Sequence, residues 1–289
     1  MRILFVIPHF FNHQGTGNYG STDKSAKQVR LNALIANLTV LYQLFGNSTY
    51  NLDIANRKAR KINDIQNNIT VVFCTYKSYH LLDHIPTPEK CLNYNIDDAA
   101  FDPMMLGFQC RRVLMDNFGK YDYYCYLEDD LIINDPWFFR KLEYYNNKNI
   151  YKSLLLPNRY ESSLSSPVNK LYVDGNLRSD VTSKYQDVNE NNELSLEIMG
   201  ETFRFQKTLN PHSGCYFLNA AQIEYWAQQP EFLDVDTSFI GPLESAVTQG
   251  IMKTFDVYKP SDENADFLEI QHYGTRFLSL VGKTVTLSL

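Results

Sequence analysis

The sequence predicts an α/β protein built on a mainly parallel or mixed sheet covered on both faces, and three observations predict it. Short, mainly apolar runs recur at Ile3 to Ile7, Ile69 to Thr75 and Tyr121 to Leu127, as strands buried on both faces require. Stretches with apolar residues at helical spacing alternate with them, the order that lays crossover helices over a sheet. Hydrophobic residues make up 44% of the 289-residue chain and charged residues 21%, enough apolar material for one continuous body with modest additions.

The first run, Ile3 to Ile7, ends in a Pro/His/Asn/Gly-rich stretch that continues through Gly20. Ligands of open α/β sheets bind beyond the carboxyl ends of such strands, so the loop holding His9, Asn12, Gly15, Gly17, Tyr19 and Gly20 is a candidate ligand wall. Their spacing is neither a dinucleotide fingerprint nor a P-loop. Ala26 to Phe45 carries Leu31, Leu34, Ile35, Leu38, Leu41, Tyr42 and Phe45 at helical spacing, and this helix is expected to pack on the sheet and take no part in chemistry. Ile69 to Thr75 is a second strand. Leu106 to Phe118 suggests a helix with Gln109, Arg111 and Arg112, whose arginines either face solvent, the preferred reading, or reach a nucleotide pocket.

The third strand, Tyr121 to Leu127, runs directly into Glu128, Asp129 and Asp130. Pro136 to Tyr145 reads as a helix capped by Asp135, Ser153 to Pro157 as a strand, and the polar stretch Ser162 to Asn192 as an excursion or mobile loop over the site. Cys215 to Leu218 is apolar, and Ala220 to Gln228 is helical in pattern. Leu243 to Val247 opens a helix with Glu244 in its first turn, at the positive end of the helix dipole.

A net charge of −6 argues against general binding to nucleic-acid phosphates. Cys74, Cys91, Cys110, Cys125 and Cys215 are odd in number and not closely paired, which suggests neither a disulfide framework nor a zinc site but reduced, buried thiols. The apolar N-terminus stops at Pro8, too short for a signal peptide or a membrane span. A cytoplasmic location is expected, without a transmembrane segment and with peripheral membrane contact left open.

Three consecutive carboxylates at the end of a buried strand repel one another unless a cation or a set of donors compensates. A divalent ion bridging two phosphates is the simplest compensation, using one or two protein carboxylates; an exposed acidic turn is the alternative.

Tyr123 through Leu131, reading Tyr-Tyr-Cys-Tyr-Leu-Glu-Asp-Asp-Leu, resembles the strand and acidic "DXD" signature of GT-A glycosyltransferases. The resemblance extends through motifs in the same order. Leu154 to Arg159 is similar to the strand after the acidic motif in exostosin-type enzymes, and Ser213 to Asn219 to the segment that frames the acceptor side. Gly241 to Ala246 resembles the helix start that carries a catalytic carboxylate, and Glu269 to Gly274 the segment with a late metal-binding histidine. The resemblance implies a nucleotide-binding, Rossmann-like α/β/α sandwich with a mixed central sheet. It implies a nucleotide-sugar half over 1–135 and an acceptor half over 136–289.

It also implies roles. Asp130 and His272 would ligate Mn²⁺ or Mg²⁺, while Glu128 and Asp129, with Pro8, His9 and Arg159, would face a UDP- or GDP-sugar. Glu244 would act as general base toward a hydroxyl of a glycan or lipid-linked saccharide acceptor in an inverting enzyme, or position the acceptor in a retaining one. His212 is a weaker candidate for the acceptor or diphosphate, and Trp137 and Trp226 are expected to be packing residues. The opening Ile7-Pro8-His9-Phe10-Phe11 is closer to the first strand of GT-B enzymes, which keeps a GT-B enzyme as an alternative. A phosphoryl-transfer enzyme would show a glycine-rich phosphate loop or an early nucleophilic aspartate motif. A non-catalytic carbohydrate-binding module would be indifferent to loss of Glu244.

Overall fold

The computed structural model describes residues 1–16, 20–62, 68–86, 94–98, 102–148, 152–190 and 192–287. Gly17 and Tyr19 of the expected ligand wall, and Cys91, lie outside the described residues.

Side-chain alternation along the central strands creates two cores. Ile3, Phe5 and Ile7, with Val71, Phe73, Tyr123, Cys125, Leu127, Cys215 and Phe217, face one side; Leu4 and Val6, with Val72, Cys74, Tyr124, Tyr126, Tyr216 and Leu218, face the other. Helices Lys27–Phe45 and Phe138–Lys148 cover the first face through Leu34, Leu38, Leu41, Phe138 and Leu142. Helices Leu106–Asp116 and Ala220–Ala227 cover the second through Cys110, Val113, Leu114, Ile223 and Trp226. Each large apolar side chain among these contributes about 1.5–3 kcal/mol by leaving water. The result is the expected Rossmann-like α/β/α sandwich with a mixed central sheet.

Five strands form that sheet in the spatial order Cys215–Asn219, Tyr123–Leu127, Arg2–Pro8, Asn68–Cys74, Asn95–Asp97. The last four are parallel, and Cys215–Asn219 is antiparallel to Tyr123–Leu127, with Cys215 opposite Leu127. From Arg2–Pro8 the chain first moves outward on one side, to Asn68–Cys74 and Asn95–Asp97. It then returns to place Tyr123–Leu127 on the other side. The strand order therefore reverses between the ends at Pro8 and Leu127, the crevice in which open α/β sheets bind ligands.

Two further four-stranded sheets pack beyond this crevice. One runs Lys170–Tyr172, Asn158–Ser162, Glu269–His272, Leu131–Ile132; the other runs Glu193–Ile198, Glu201–Lys207, Asp256–Pro260, Ser153–Leu155. Each mixes parallel and antiparallel pairs, so neither is the second open parallel half that a GT-B architecture requires.

Three expectations are corrected. The Ser162 to Asn192 stretch contains strand Lys170–Tyr172 and a helical turn at Ser179–Thr182, and it delivers a buried side chain, Asp174, to an ion cluster. Arg111 does not face solvent: it is 1% exposed and donates to the carbonyls of Glu231, Phe232 and Asp234, while Arg112 is exposed. A buried guanidinium has five N–H groups to satisfy, and these loop carbonyls meet much of that demand. Trp226 is fully buried as expected, but Trp137 is 64% exposed, because the helix starts at Phe138 rather than Pro136 and turns Phe138 and Phe139 inward instead. Cys74, Cys110, Cys125 and Cys215 are buried free thiols. No helix among the described residues is long and apolar enough to cross a membrane.

Candidate functional site

Glu128, Asp129 and Asp130 form a turn at the crevice, with the Leu131 N–H donating to the Glu128 carbonyl at 3.2 Å. The three carboxyl groups point to three different sets of partners.

Asp129 is directed into the protein and is 5% exposed. His9 and Arg30 hold its two oxygens, and Arg30 also donates to Asp130 Oδ2 at 2.6 Å. Burial works against the charge on Asp129, but the Arg30 guanidinium and the His9 hydrogen bond outweigh it and hold the carboxyl at about 2. His9 is 1% exposed, and its Nε2 accepts from the Leu81 backbone N–H at 2.9 Å, so its proton sits on Nδ1 toward Asp129. Both imidazole nitrogens are thus engaged within the protein. The His9 to Asp129 bond closes the switch point between the two strand ends. Pro8, the last residue of the first strand, is buried opposite Cys74.

Arg30 corrects the expectation that its helix has no part in the site. It begins the inward stripe Arg30, Leu34, Asn37, Leu41 at the i, i+4, i+7, i+11 spacing of one helix face. Asn37 on the same stripe donates to the Leu131 carbonyl at 2.6 Å. A cation in register with an apolar stripe is a sequence signal for a buried ion pair, and it would have found Arg30.

Glu128 faces the other way. Its Oε2 lies 3.8 Å from Arg159 Nη1, and burial pushes its carboxyl up to about 7 despite that cation. Gly214 makes this position possible. Its φ is +62°, its carbonyl accepts from the Glu128 N–H at 3.0 Å, and a Cβ there would fall 2.4 Å from Glu128 Oε2. Arg159 is itself gripped by Asp174, through Nε at 2.9 Å and Nη2 at 2.7 Å, and Lys259 Nζ adds a bond to the other Asp174 oxygen at 2.9 Å. Burial disfavours the Asp174 charge, yet Lys259 and Arg159 hold it at about 2. Lys259 also donates to the His212 carbonyl at 2.7 Å, and His212 Nδ1 meets Thr248 Oγ1 at 2.8 Å. Burial, reinforced by the Arg159 charge, lowers the His212 imidazole to about 3, so it is neutral.

Asp130 lies between these two environments. Its Oδ2 accepts from Arg30, and its Oδ1 is buried without a hydrogen-bond partner among the described residues. His272 Nε2 lies 3.7 Å from Asp130 Oδ2, and His272 Nδ1 is 2.8 Å from Glu161 Oε1. Burial opposes protonation of His272, but the Glu161 hydrogen bond and the Asp130 charge raise its pKa above the ordinary value. The structure thus brings together Glu128, Asp129, Asp130, His9, Arg159 and His272.

Glu244 stands apart. It occupies the third position of a helix that opens with Gly241 and Pro242 and continues through a wide π-type turn over Ser245–Gln249, a feature frequent at functional sites. Among the described residues no hydrogen bond or ion pair joins Glu244 to the carboxylate triplet. Thr248, one turn later, meets His212. Arg30, Glu161, Asp174 and Lys259 are site residues that the motif pattern did not reveal. Glu161 and Arg159 carry a signal of their own, since they are the charged residues at the buried alternate positions of strand Asn158–Ser162.

Among the described residues, five acidic side chains, Glu128, Asp129, Asp130, Glu161 and Asp174, meet only three Lys or Arg side chains, Arg30, Arg159 and Lys259. His9 and His272 add imidazole partners to Asp129 and Glu161, and Asp130 Oδ1 stays buried without a hydrogen-bond partner among the described residues.

No protein-family model matches the chain, and no curated protein matches it in sequence. Among solved structures the chain is similar to mannose-1-phosphate geranyltransferase from Thermus thermophilus, at 10% identity over 90% of this chain and 73% of that one, with a TM-score of 0.38. It is also similar to mouse xyloside xylosyltransferase 1 in its apo form, at 10% identity over 89% of this chain and 85% of that one, with a TM-score of 0.41. Both likenesses are distant.

Proposed function

We propose that the chain is a GT-A type glycosyltransferase that takes a UDP- or GDP-sugar at the crevice closed by His9 and Asp129 and transfers the sugar to a hydroxyl of a glycan or lipid-linked saccharide. The observation that carries this reading is Asp130. It stands at the switch point of the sheet with one buried oxygen unpartnered among the described residues and an imidazole nitrogen 3.7 Å from the other.

That donor set fits a hard or borderline divalent cation, Mn²⁺ or Mg²⁺. Asp130 Oδ1 and His272 Nε2 would hold the ion, and the diphosphate oxygens would supply further ligands. Among the described residues no group of three or more His, Cys, Asp or Glu side chains is placed to hold a metal ion. A bound cation supplies neutralisation of the charge that develops on the departing diphosphate.

The residues of the chain do the rest. Arg30 and His9 fix Asp129, so Asp130 is presented in one orientation. Arg159, itself held by Asp174, orients Glu128 along the open edge of the crevice, where Glu128 can accept a hydroxyl of ribose or donor sugar. Residues 1–135 supply the nucleotide-sugar half in this reading and 136–289 the acceptor half. Glu244 at its helix start serves as the carboxylate that takes the proton of the acceptor hydroxyl; its test is Glu244→Gln, which should abolish transfer and spare nucleotide binding.

Calorimetric titration of UDP and GDP with and without Mn²⁺ tests the reading. One nucleotide is expected to bind in a metal-dependent manner to the wild type and to lose that binding in Asp130→Asn. Metal-independent binding, or no binding of either nucleotide, would overturn it in favour of a non-catalytic carbohydrate-binding module or another enzyme class.

A further inference from the structure

Glu161 is a wholly buried carboxylate for which the proposed reaction has no use. Its Oε1 faces His272 Nδ1 at 2.8 Å, and its Oε2 accepts from the backbone N–H groups of Phe277 at 2.9 Å and Leu278 at 2.8 Å. An ionised carboxylate only accepts, so with Oε2 taken by two backbone N–H donors, the Oε1 that faces His272 accepts its proton from the imidazole. That places the hydrogen on Nδ1. The other nitrogen, Nε2, lies 3.7 Å from Asp130 Oδ2, beyond hydrogen-bond length for an N–H group facing a carboxylate.

We propose that Glu161 is a positioning residue that fixes His272 in the Nδ1–H tautomer, leaving the Nε2 lone pair beside Asp130, and that it ties this orientation to the docking of the chain at Phe277 and Leu278. Three further features support it. Strand Asn158–Ser162 is parallel to Glu269–His272 with Arg159 opposite Ile270 and Tyr160 opposite Gln271, so the backbone register holds the two side chains at matching heights. The Phe277 ring lies 5.8 Å from the His272 ring, so the segment that donates to Glu161 also packs on the imidazole. The Tyr273 N–H donates to the Asp130 carbonyl at 2.8 Å, which fixes the backbone next to His272 against the carboxylate it faces. A carboxylate behind a histidine is a general means of setting tautomer and ring orientation.

Toward a cation this inference rests on the reading given above; the position of the proton does not. The experiment therefore has two arms. In the metal-free protein at alkaline pH, long-range ¹H–¹⁵N correlation spectra of the imidazoles are expected to show His272 with a protonated Nδ1 and a bare Nε2. An Nε2–H tautomer, or an imidazolium that persists, would overturn the proposal, whatever the chain's activity. In Glu161→Gln the amide oxygen is expected to take the two backbone N–H bonds and the NH₂ to donate to Nδ1, which moves the proton to Nε2. Mn²⁺ affinity by calorimetry should then fall about 10–100-fold, while Glu161→Asp, which keeps the acceptor chemistry, should restore the Nδ1–H signature. An unchanged tautomer in a folded Glu161→Gln would overturn the proposal, and should that variant not fold, the wild-type spectrum alone decides.

Discussion

Glu128 and Asp129 are consecutive, carry the same functional group and are both drawn from water, yet the protein sends their titrations in opposite directions. Asp129 is enclosed by Arg30 and His9, which reach it through hydrogen bonds, and it is held at about 2. Glu128 has the Arg159 cation at 3.8 Å, beyond hydrogen-bond length, and the negative neighbours Asp130 and Asp129, and burial carries it to about 7. The comparison teaches that at this site contact chemistry outranks sequence position. A carboxylate given two direct donors is a fixed structural anion, and one left with a distant cation becomes a group that changes charge near neutrality.

The strongest way to break the comparison is to remove the anion that Arg30 and His9 were built around. Asp129→Asn leaves a largely buried guanidinium with Asp130 as its remaining countercharge, and it is expected to cost about 3 kcal/mol, measured by denaturant unfolding. Below its ordinary value of 3.8, the wild type should lose this contribution as the pH falls toward about 2, whereas the variant should show a shallower loss, that of the remaining depressed carboxyls such as Asp174.

Gly214→Ala attacks the other side. Its Cβ would strike Glu128 Oε2 on a backbone with φ +62°, so a loss of about 2–3 kcal/mol is expected, together with a displaced Glu128 and weaker nucleotide binding.

Glu128→Gln sharpens the contrast through pH. Glu128 titrates above its ordinary value of 4.5, at about 7 in the fold. The folded state therefore holds its proton longer than the unfolded one, and stability present below about 4.5 is lost as the pH rises through about 7. The glutamine variant lacks this loss, so it should gain about 1–2 kcal/mol on the wild type by about pH 8 in paired melts across the range. Opposite slopes in the Glu128 and Asp129 variants would establish the contrast; parallel slopes would end it. The smallest effect is expected from Trp137→Ala on the exposed face, within about 0.5 kcal/mol by thermal melting.

Local patterns made much of this protein legible in its sequence. The apolar runs of the central strands, the helical stripes over Ala26 to Phe45 and Ala220 to Gln228, and the acidic triplet at a strand end depend on neighbours in the chain, and the fold keeps them. The capping box of Asn219 and Gln222 is similarly local. The helix at Phe138–Lys148 was legible as an element, but its inward face was misplaced by one residue at Trp137, because the phase of an aromatic-rich stretch is set by which ring finds room in the core.

The composition and alternation of the sequence thus determined by themselves that this is an α/β sandwich and that carboxylates stand at its crevice, since burial of a strand and spacing of a helix are one-dimensional facts. Which cation answers which carboxylate was decided only by the tertiary structure. Arg30 meets Asp129 and Asp130 across about a hundred residues, Glu161 meets His272 across 111, and Lys259 meets Asp174 across 85. Electrostatic pairing acts through a few ångströms of space regardless of the chain between, so charges that look alike in the sequence acquire their distinct roles only when the sheets bring them together.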